Sequence, residues 1–359
     1  MNWHGSCKAC HTREQLLAAL ALSLLLLILA IPLQAGAATS PIAALQAFTA
    51  PDPGAQAADI AAPHVGGSAL QVLPASRWLD STPRIAIMSA FAPELTLLHK
   101  QLQGAKTYTV NGVEFTTGTL ESHSVILLLS GISMVNAAMN TQLLFDRFHV
   151  SRLIFSGIAG GVNPSLHIGD VSVPARWGQY LETVMMRETS PGHFQAPASK
   201  GGFQFAPYGM MQPRDVRVRR AGQPQFEEKF WFDVDPQMLK VARGLQGVSL
   251  QACDAAKQCV SHKPQVVVGG NGVSGQAFVD NAAFRTYAYQ TFHANVLDME
   301  SAACAMVAYS NGVPFIAFRS LSDLAGGGPG ENEMNVFLHI AANNAAHVML
   351  AFLRAWPGP

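Results

Sequence analysis

Charged side chains are scarce in this chain: they make up 13% of its 359 residues, and 23 basic residues are balanced by 23 acidic ones. No cluster of Lys and Arg is present that would neutralise the phosphates of a nucleic acid. The composition therefore gives no reason to expect a polyanionic partner, and we expect no nucleic acid to bind. Hydrophobic residues make up 49%, enough for one large core or two smaller ones, so a globular protein is expected.

Several motifs for metals, cofactors and nucleophiles are missing. The 12 His and 5 Cys form neither an H-E-x-x-H motif nor a Cys/His quartet at ligand spacing, so the sequence predicts no metal site. A G-x-S-x-G nucleophile elbow is also lacking. The glycine-rich segment at 156–161 departs from the G-x-G-x-x-G spacing and no P-loop lysine follows it, so we expect no dinucleotide or ATP site and no cofactor.

One long apolar run, residues 16–33, lies behind Lys8 and Arg13 and is followed by small residues at signal-cleavage spacing. We interpret residues 1–38 as an export signal, with an uncleaved membrane anchor as the alternative, because the run approaches the roughly 20 residues that span a bilayer. Residues 39–80, rich in Ala, Pro, Gly and Ser, are predicted to be a flexible tether. The mature chain is expected in the periplasm or outside the cell, without membrane contact once the signal is removed.

Cysteine usage agrees with export. Cys7 and Cys10 precede the apolar run and would be removed with the signal. Cys304 falls in a small-residue helical segment and is predicted to be a buried thiol. Cys253 and Cys259 flank a polar, turn-like segment, and in an oxidising compartment we expect a disulfide between them. Its entropic contribution would be small because the closed loop is short.

From residue 83 onwards, apolar strands alternate with helical segments, as in an α/β domain. The Asn-Gly pair at 111–112 predicts a β-hairpin. Further strands are predicted over 84–88, 125–129, 153–155, 171–173, 266–268 and 314–318, and helices over 94–102, 134–148, 301–310 and 336–353. The strand at 153–155 is expected to end in a glycine turn at 156–161. Residues 83–355 are therefore predicted to form one three-layer α/β/α domain with a mixed twisted central sheet, and the weakly patterned residues 187–263 an insertion.

Three carboxylates follow predicted strands, at the edge where open α/β sheets bind ligands. Glu94 opens the first helix, Glu300 closes an extended run, and Asp323 follows the strand at 314–318. Glu300 and Asp323 are expected to project from neighbouring strand ends into one crevice, where they would hold a ligand with several hydroxyls and a heterocyclic nitrogen. A structural interpretation stays open, in which Asp323 caps a helix and the two glutamates complement helix dipoles.

Four segments, in order, resemble the nucleoside phosphorylase and nucleosidase superfamily: 85–98, 129–144, 155–173 and 296–323. The Ser-Gly-Ile-Ser at 130–133 and the Ser-Gly-Ile-Ala-Gly-Gly at 156–161 are similar to segments of methylthioadenosine/S-adenosylhomocysteine nucleosidases. The Phe-Trp-Phe at 230–232, the two cysteines and the Phe-Val-Asp-Asn-Ala at 278–282 resemble exported relatives typified by plant bark storage proteins. This resemblance implies a nucleoside phosphorylase-like fold and a homo-oligomer, expected to be a dimer.

The resemblance also implies a role for each matching residue. Glu94 would activate the attacking water and Asp323 would assist the leaving purine, while Met299 and Glu300 would bind the ribose. The other implied substrate contacts are Phe91, Ser130, Phe278, Val279, Arg319 and Ser322. A structural ion pair with Glu300 is the alternative role for Arg319. The chain departs from the family at 91–93, where Phe-Ala-Pro stands in place of more acidic residues.

The predicted function is hydrolysis of the N-glycosidic bond of a purine nucleoside of the methylthioadenosine, S-adenosylhomocysteine or adenosine type. Cleavage develops positive charge on the sugar and negative charge on the base, so it requires an acid near the purine and a base near the anomeric carbon. Phosphate as acceptor would need compensating arginines, and none occurs in 89–102 or 130–140, while Arg319 is expected to be neutralised by Glu300. Two alternatives stay open: a phosphorolytic enzyme, and a storage or nucleoside-binding protein of the same fold.

Overall fold

The computed structural model describes residues 78–198 and 202–358. The predicted export signal and residues 39–77 of the predicted tether lie outside the described residues. Within these ranges one helix, Met334–Ala355, is long and apolar enough to cross a membrane, and 67% of its most apolar window is buried inside the fold. This burial is typical of the core helix of a globular domain.

Eighteen strands lie in the described residues. They are β1 Asp80–Ser89, β2 Gln103–Val110, β3 Val113–Leu120, β4 His123–Leu129, β5 Phe148–Gly161, β6 Val171–Val173, β7 Arg176–Gln179, β8 Thr183–Met185, β9 Arg187–Ser190, β10 His193–Gln195, β11 Met211–Pro213, β12 Val216–Arg220, β13 Gln223–Lys229, β14 Trp231–Asp233, β15 Val266–Val268, β16 Asn271–Ser274, β17 Ala294–Asp298 and β18 Phe315–Asp323. Twelve of them form one main sheet.

The main sheet is mixed in direction, as predicted. Its longest path runs β14-β7-β16-β17-β5-β1-β4-β3-β2, while β18 pairs with β5 and β6, and β6 also pairs with β15. Strand β5 connects these parts because it is parallel to β1 and β18 and antiparallel to β17. The polar edge where these strands meet is the place at which a ligand site is expected.

Six helices of the described part of the chain flank the sheet: α1 Ala92–Gln101, α2 Met134–Arg147, α3 Pro236–Arg243, α4 Ala282–Phe292, α5 Ser301–Asn311 and α6 Met334–Ala355. Helix α1 packs against α6, and α2 packs against α5. All nine residues of β18 are buried, as expected for a parallel strand covered by helices on both faces. The predicted α/β architecture is thus confirmed, and burial of each large side chain such as Phe318 contributes about 2 kcal/mol.

The predicted glycine turn at 156–161 is wrong, because β5 continues without interruption to Gly161. The glycines instead allow other groups to pack against the strand. A side chain at Gly157 would overlap the carboxylate of Glu94, and a Cβ at Gly161 would lie 2.5 Å from Leu321 Cδ2. The close approach of other groups to the backbone, which these glycines predict, therefore occurs along a strand and not at a turn.

The predicted insertion at 187–263 is only partly outside the sheet. It contains the β9–β10 and β12–β13 hairpins, but β14 pairs with β7 of the main sheet. Three-residue strands such as β11 and β14 are too short to show a period in the sequence. The start of helix α3, in contrast, has a sequence signal, an Asp followed by a Pro at 235–236. In the structure Asp235 accepts hydrogen bonds from the N–H groups of Gln237 and Met238 at 3.0 and 2.9 Å.

The predictions for Cys253, Cys259 and Cys304 are confirmed, whereas Cys7 and Cys10 lie outside the described residues. Cys253 and Cys259 form a disulfide. Cys304 is a free, buried thiol, and its sulfur lies 3.4 Å from Thr141 Oγ1. Burial raises the pKa of Cys304 to about 12, so the thiol stays protonated at neutral pH and serves as packing.

Gly312 ends α5 in the left-handed conformation, at φ +70°. Gly312→Ala is expected to lower the free energy of unfolding by about 1 kcal/mol, because a side chain is strained at this φ. Gly247→Ala is the matched control, since a Cβ meets open space at both positions but Gly247 is not at positive φ. It should cause no loss, or a gain of about 0.5 kcal/mol. Equal losses for both variants in urea denaturation would contradict this explanation.

Candidate active site

A cavity of about 360 Å³ opens at the ends of β1, β5, β17 and β18. This volume lies in the range of small-molecule sites, and the walls combine apolar side chains with a few convergent polar groups. The sequence-predicted residues that line it are Phe91, Glu94, Phe278, Val279, Met299, Glu300, Arg319, Ser322 and Asp323. The structure thus brings all the predicted site residues except Ser130 to one cavity.

Glu94 lies in the first turn of α1, and its carboxylate folds back over the end of β1. Oε2 accepts hydrogen bonds from the N–H groups of Ala90 at 2.7 Å and Phe91 at 3.4 Å, and Oε1 accepts one from Ile158 N–H at 2.7 Å. The side chain is 1% exposed. Both interpretations of the sequence are therefore satisfied: Glu94 complements a helix N-terminus and it also lies in the cavity.

The environment of Glu94 favours proton exchange near neutrality. Burial raises its pKa to about 7, even though Arg319 and the N–H groups of Ile158 and Ala90 favour the charged form. The neighbouring charge of Glu300 adds to the increase. A carboxyl group with this pKa is populated in both protonation states at neutral pH, as a general acid or base requires.

Arg319 lies between carboxylates in the interior and is 2% exposed. Its Nη2 donates to Glu300 Oε2 at 3.0 Å, and its Nε lies 2.9 Å from Asp298 Oδ2 in an ion pair without good hydrogen-bond alignment. The guanidinium carbon is 4.8 Å from the centre of the Phe155 ring. The ion pair of Arg319 with Glu300 is observed, and Asp298 shares this role although no feature of the sequence indicated it.

Asp298 fixes the turn between β17 and α5. It accepts short hydrogen bonds from the hydroxyls of Ser274 and Ser301, and the N–H groups of Glu300 and Ser301 lie 3.2 Å from Oδ1. Burial raises the pKa of Glu300, Arg319 opposes this, and Asp298 adds to it. The turn therefore holds Glu300 in the cavity by backbone and side-chain contacts.

The turn before α2 meets Glu300 through a strained residue. Ser133 has φ +84° and ψ 157°, a region that residues other than glycine rarely adopt. Its N–H donates to Glu300 Oε1 at 2.7 Å. Ser130 does not line the cavity: its hydroxyl is buried and donates to Gly131 O at 2.7 Å. Ile132 is the residue of this turn that reaches the cavity wall.

Asp323 ends β18 and faces the cavity with its carboxylate held from three sides. Oδ1 accepts from Ala325 N–H at 2.8 Å and from Asn332 Nδ2 at 3.4 Å, and Oδ2 accepts from Ser322 Oγ at 2.9 Å. Burial raises the pKa of Asp323, and these hydrogen bonds oppose the rise. The sequence offered no signal for Asn332, which lies in the glycine-rich connector before α6.

The expectation that Glu300 and Asp323 lie on neighbouring strands is wrong. Strand β5 pairs with both β17 and β18, so it lies between the two strand ends. Gly160 of β5 makes this arrangement possible, because a Cβ there would lie 3.2 Å from Asp323 Oδ1. Phe278, with 55% of its surface exposed, covers one side of the cavity with an aromatic ring.

Comparison with known proteins shows similarity over the part of the chain that builds this cavity. Residues 84–354 match the model of the phosphorylase superfamily. A 5′-methylthioadenosine/S-adenosylhomocysteine nucleosidase of Bacillus thuringiensis is 31% identical over 247 residues, which cover 68% of this chain and 87% of the relative. One from Mycobacterium bovis is 28% identical over 274 residues, covering 75% and 96%.

A solved structure of high coverage gives the same picture of the fold. It is the nucleosidase of this type from S. pneumoniae, determined with the transition-state inhibitor MT-ImmA. The TM-score is 0.55 at 25% identity, and the match covers 76% of this chain and 99% of that chain. The expected nucleoside phosphorylase-like fold is confirmed.

The raised pKa of Glu94 predicts a pH dependence of stability. Between pH 4.5, its ordinary pKa, and about 7, the folded chain holds a proton that the unfolded chain releases. The free energy of unfolding should therefore fall as the pH rises through this range, and Glu94→Gln should remove that fall. The free energy of unfolding can be measured by urea denaturation at pH 5 and at pH 8. From the lower to the higher pH, wild type should lose about 2 kcal/mol more than Glu94→Gln.

The matched control is Glu114→Gln, which alters an exposed carboxylate of β3. It should leave the pH dependence of wild type unchanged. If the stability of Glu94→Gln follows that of wild type at both pH values, the cavity does not hold Glu94 in the protonated form.

Proposed function

Because this chain belongs to the phosphorylase superfamily, we propose that its cavity binds a purine nucleoside and that the protein hydrolyses the N-glycosidic bond, releasing the base. The observation that carries this proposal is the convergence of Glu94, Glu300 and Asp323 on one cavity with an aromatic ring at its side. The nucleosidases to which the chain is similar, by their names, act on 5′-methylthioadenosine and S-adenosylhomocysteine. A nucleoside of this type is the substrate we propose.

On the base side, Asp323 assists departure of the purine. Its raised pKa makes the protonated carboxyl accessible, and this form donates a proton or hydrogen bond to a ring nitrogen as negative charge develops there. Ala325 N–H and Ser322 Oγ hold the carboxylate in position. The exposed ring of Phe278 offers a flat apolar surface against which a base stacks.

On the sugar side, Glu300 and Met299 hold the ribose. The Glu300 carboxylate is fixed by Arg319 Nη2 and Ser133 N–H, and its remaining lone pairs accept hydrogen bonds from neighbouring sugar hydroxyls. Met299 adds an adaptable apolar contact with the ring. A hydrogen bond between a hydroxyl and a carboxylate strengthens as the sugar becomes electron-deficient, so this contact favours the transition state.

Glu94 activates the attacking water. With its pKa near 7, it takes a proton from water at neutral pH while the sugar becomes electrophilic. Three backbone N–H groups fix the orientation of the carboxylate before the substrate arrives, which reduces the reorganisation needed in the reaction. Glu94 and Asp323 thus act at opposite ends of the bond that breaks.

The acceptor we propose is water. Among the described residues that line the cavity, Arg319 is the only Lys or Arg. Its guanidinium is already paired with Glu300 and Asp298. A phosphate dianion would therefore enter a site with four carboxylates, Glu94, Asp298, Glu300 and Asp323, and no free cation among the described lining residues, at a large desolvation cost. This electrostatic argument disfavours the phosphorolytic alternative.

We also propose that the chain is exported and acts as a homodimer. Export is supported by the apolar run at 16–33 and by the disulfide, and the N-terminal sequence of the mature protein tests it. Dimer formation is supported by a row of exposed apolar side chains beside the cavity, Ile132, Val135 and Met139. Sedimentation of the purified protein tests this, and a monomer at micromolar concentration would contradict it.

The direct test is release of adenine from 5′-methylthioadenosine by the purified mature chain in phosphate-free buffer. Turnover is expected there, and Glu94→Gln and Asp323→Asn should each lower kcat/KM by about 100-fold or more. The controls Glu114→Gln and Asp146→Asn make the same chemical changes on the surface and should behave like wild type.

Other results would select the alternatives. Turnover that needs phosphate and yields ribose 1-phosphate esters would mean that the protein is a phosphorylase. Tight nucleoside binding without release of the base would mean that the fold serves storage or binding. Full activity of Asp323→Asn would contradict the role given to Asp323.

A further inference from the structure

Three side chains with metal-ligating atoms converge outside the cavity, at the turn that precedes β6. They are His167, Asp170 and His262, whose ligand atoms all lie within 4.8 Å of one another. Asp170 Oδ1 is 3.2 Å from His262 Nε2, and Asp170 Oδ2 is 3.9 Å from His167 Nδ1. None of the three lines the proposed nucleoside cavity.

The carboxylate of Asp170 is buried and held in one orientation. Its side chain is 0% exposed, and the N–H groups of His167 and Gln265 each donate to it at 2.9 Å. Within the described residues no Lys or Arg pairs with this carboxylate, and its ion-pair partners are the two imidazoles. A buried negative charge without a permanent cation favours the binding of one.

The spacing of the ligand atoms suits a small tetrahedral ion. Zn²⁺ binds imidazole nitrogen at roughly 2.0 Å and carboxylate oxygen at a similar distance, so two ligands of one ion lie about 3.4 Å apart. The observed separations are 3.2 Å from His262 Nε2 to Asp170 Oδ1 and 3.9 Å from His167 Nδ1 to Asp170 Oδ2, and all the ligand atoms lie within 4.8 Å of one another, so binding one ion requires a movement of one imidazole. His167 can make it, because 52% of its side chain is exposed.

The disulfide loop brings His262 to this place. His262 follows Cys259 by three residues. Val260 and Pro264 of the same segment pack on the turn at Gly169. A Cβ at Gly169 would lie 3.0 Å from Pro264 Cγ. The two imidazole rings lie 4.2 Å apart between centroids. Since His262 stands 92 positions after Asp170, no ligand spacing in the sequence shows the cluster.

We propose that His167, Asp170 and His262 bind one Zn²⁺ ion that fastens the disulfide-bearing segment to the turn before β6. Two imidazoles and a carboxylate match the ligand preferences of zinc, whereas Ca²⁺ and Mg²⁺ prefer oxygen ligands alone. The exposed side of His167 leaves the fourth position open to water. The role is structural, because the ion joins two segments of the chain and lies outside the cavity.

The test uses the untagged, oxidised full mature chain after removal of metals with a chelator. Calorimetric titration should show one Zn²⁺ per chain, and zinc at 100 times its Kd should raise Tm by about 5 °C. His262→Ala and His167→Ala should each weaken zinc binding by about 100-fold or more and remove the rise in Tm. Because Asp170 is buried, its replacement is a poorer test than these two variants.

The matched control is His193→Ala, which removes an exposed histidine of β10 and should bind zinc like wild type. Metal-free His262→Ala and His167→Ala should still unfold in one cooperative transition, which shows that both variants fold, and His262→Ala should do so at a lower Tm than the metal-free wild type because Asp170 loses a partner. Failure of wild type to bind zinc, or zinc binding that both variants retain, would overturn the proposal. Neither result depends on whether the protein cleaves nucleosides.

Discussion

The buried guanidinium of Arg319 is the interaction on which the cavity depends. It pairs with Asp298 and Glu300, and it opposes the rise in pKa that burial imposes on Glu94. Burying a single charge without partners would cost many kcal/mol, and three carboxylates close together would repel one another. Arg319 lowers both costs, so acidic groups from different parts of the chain can lie in one apolar cavity.

The single positive charge of Arg319 cannot balance the three carboxylates of Glu94, Asp298 and Glu300. This excess of negative charge connects the structure to the proposed chemistry. Without a bound nucleoside, a proton on Glu94 at neutral pH reduces the excess of negative charge. In the proposed reaction, the positive charge that develops on the sugar replaces that proton as the balancing charge. The same imbalance disfavours an anionic acceptor, which makes water the natural nucleophile. Ser133, at φ +84°, directs its N–H to Glu300 Oε1 and so offsets part of the negative charge of that carboxylate.

The parts of the structure that the sequence predicts are those set by local physics. The Asn111-Gly112 hairpin is observed, with both residues at positive φ, and so are the Gly312 helix end and the long apolar strands. Interactions between distant segments were not predictable from spacing: β5 continues through its glycines because Glu94 and Leu321 pack there, and Asn332 reaches Asp323 from a connector. Most predicted site residues line the cavity because they follow strands, whereas Ser130 does not, since Gly131, at φ +73°, follows it and the side chain stays buried.

The central claim is that the Arg319-centred cavity directs water to the anomeric carbon of a purine nucleoside. The most direct measurement is the mass of the sugar product formed from 5′-methylthioadenosine in buffer that contains millimolar phosphate, compared with phosphate-free buffer. The account predicts one free sugar for each adenine released, at the same rate in both buffers. A sugar 1-phosphate as product, or a rate that rises with phosphate, would contradict it.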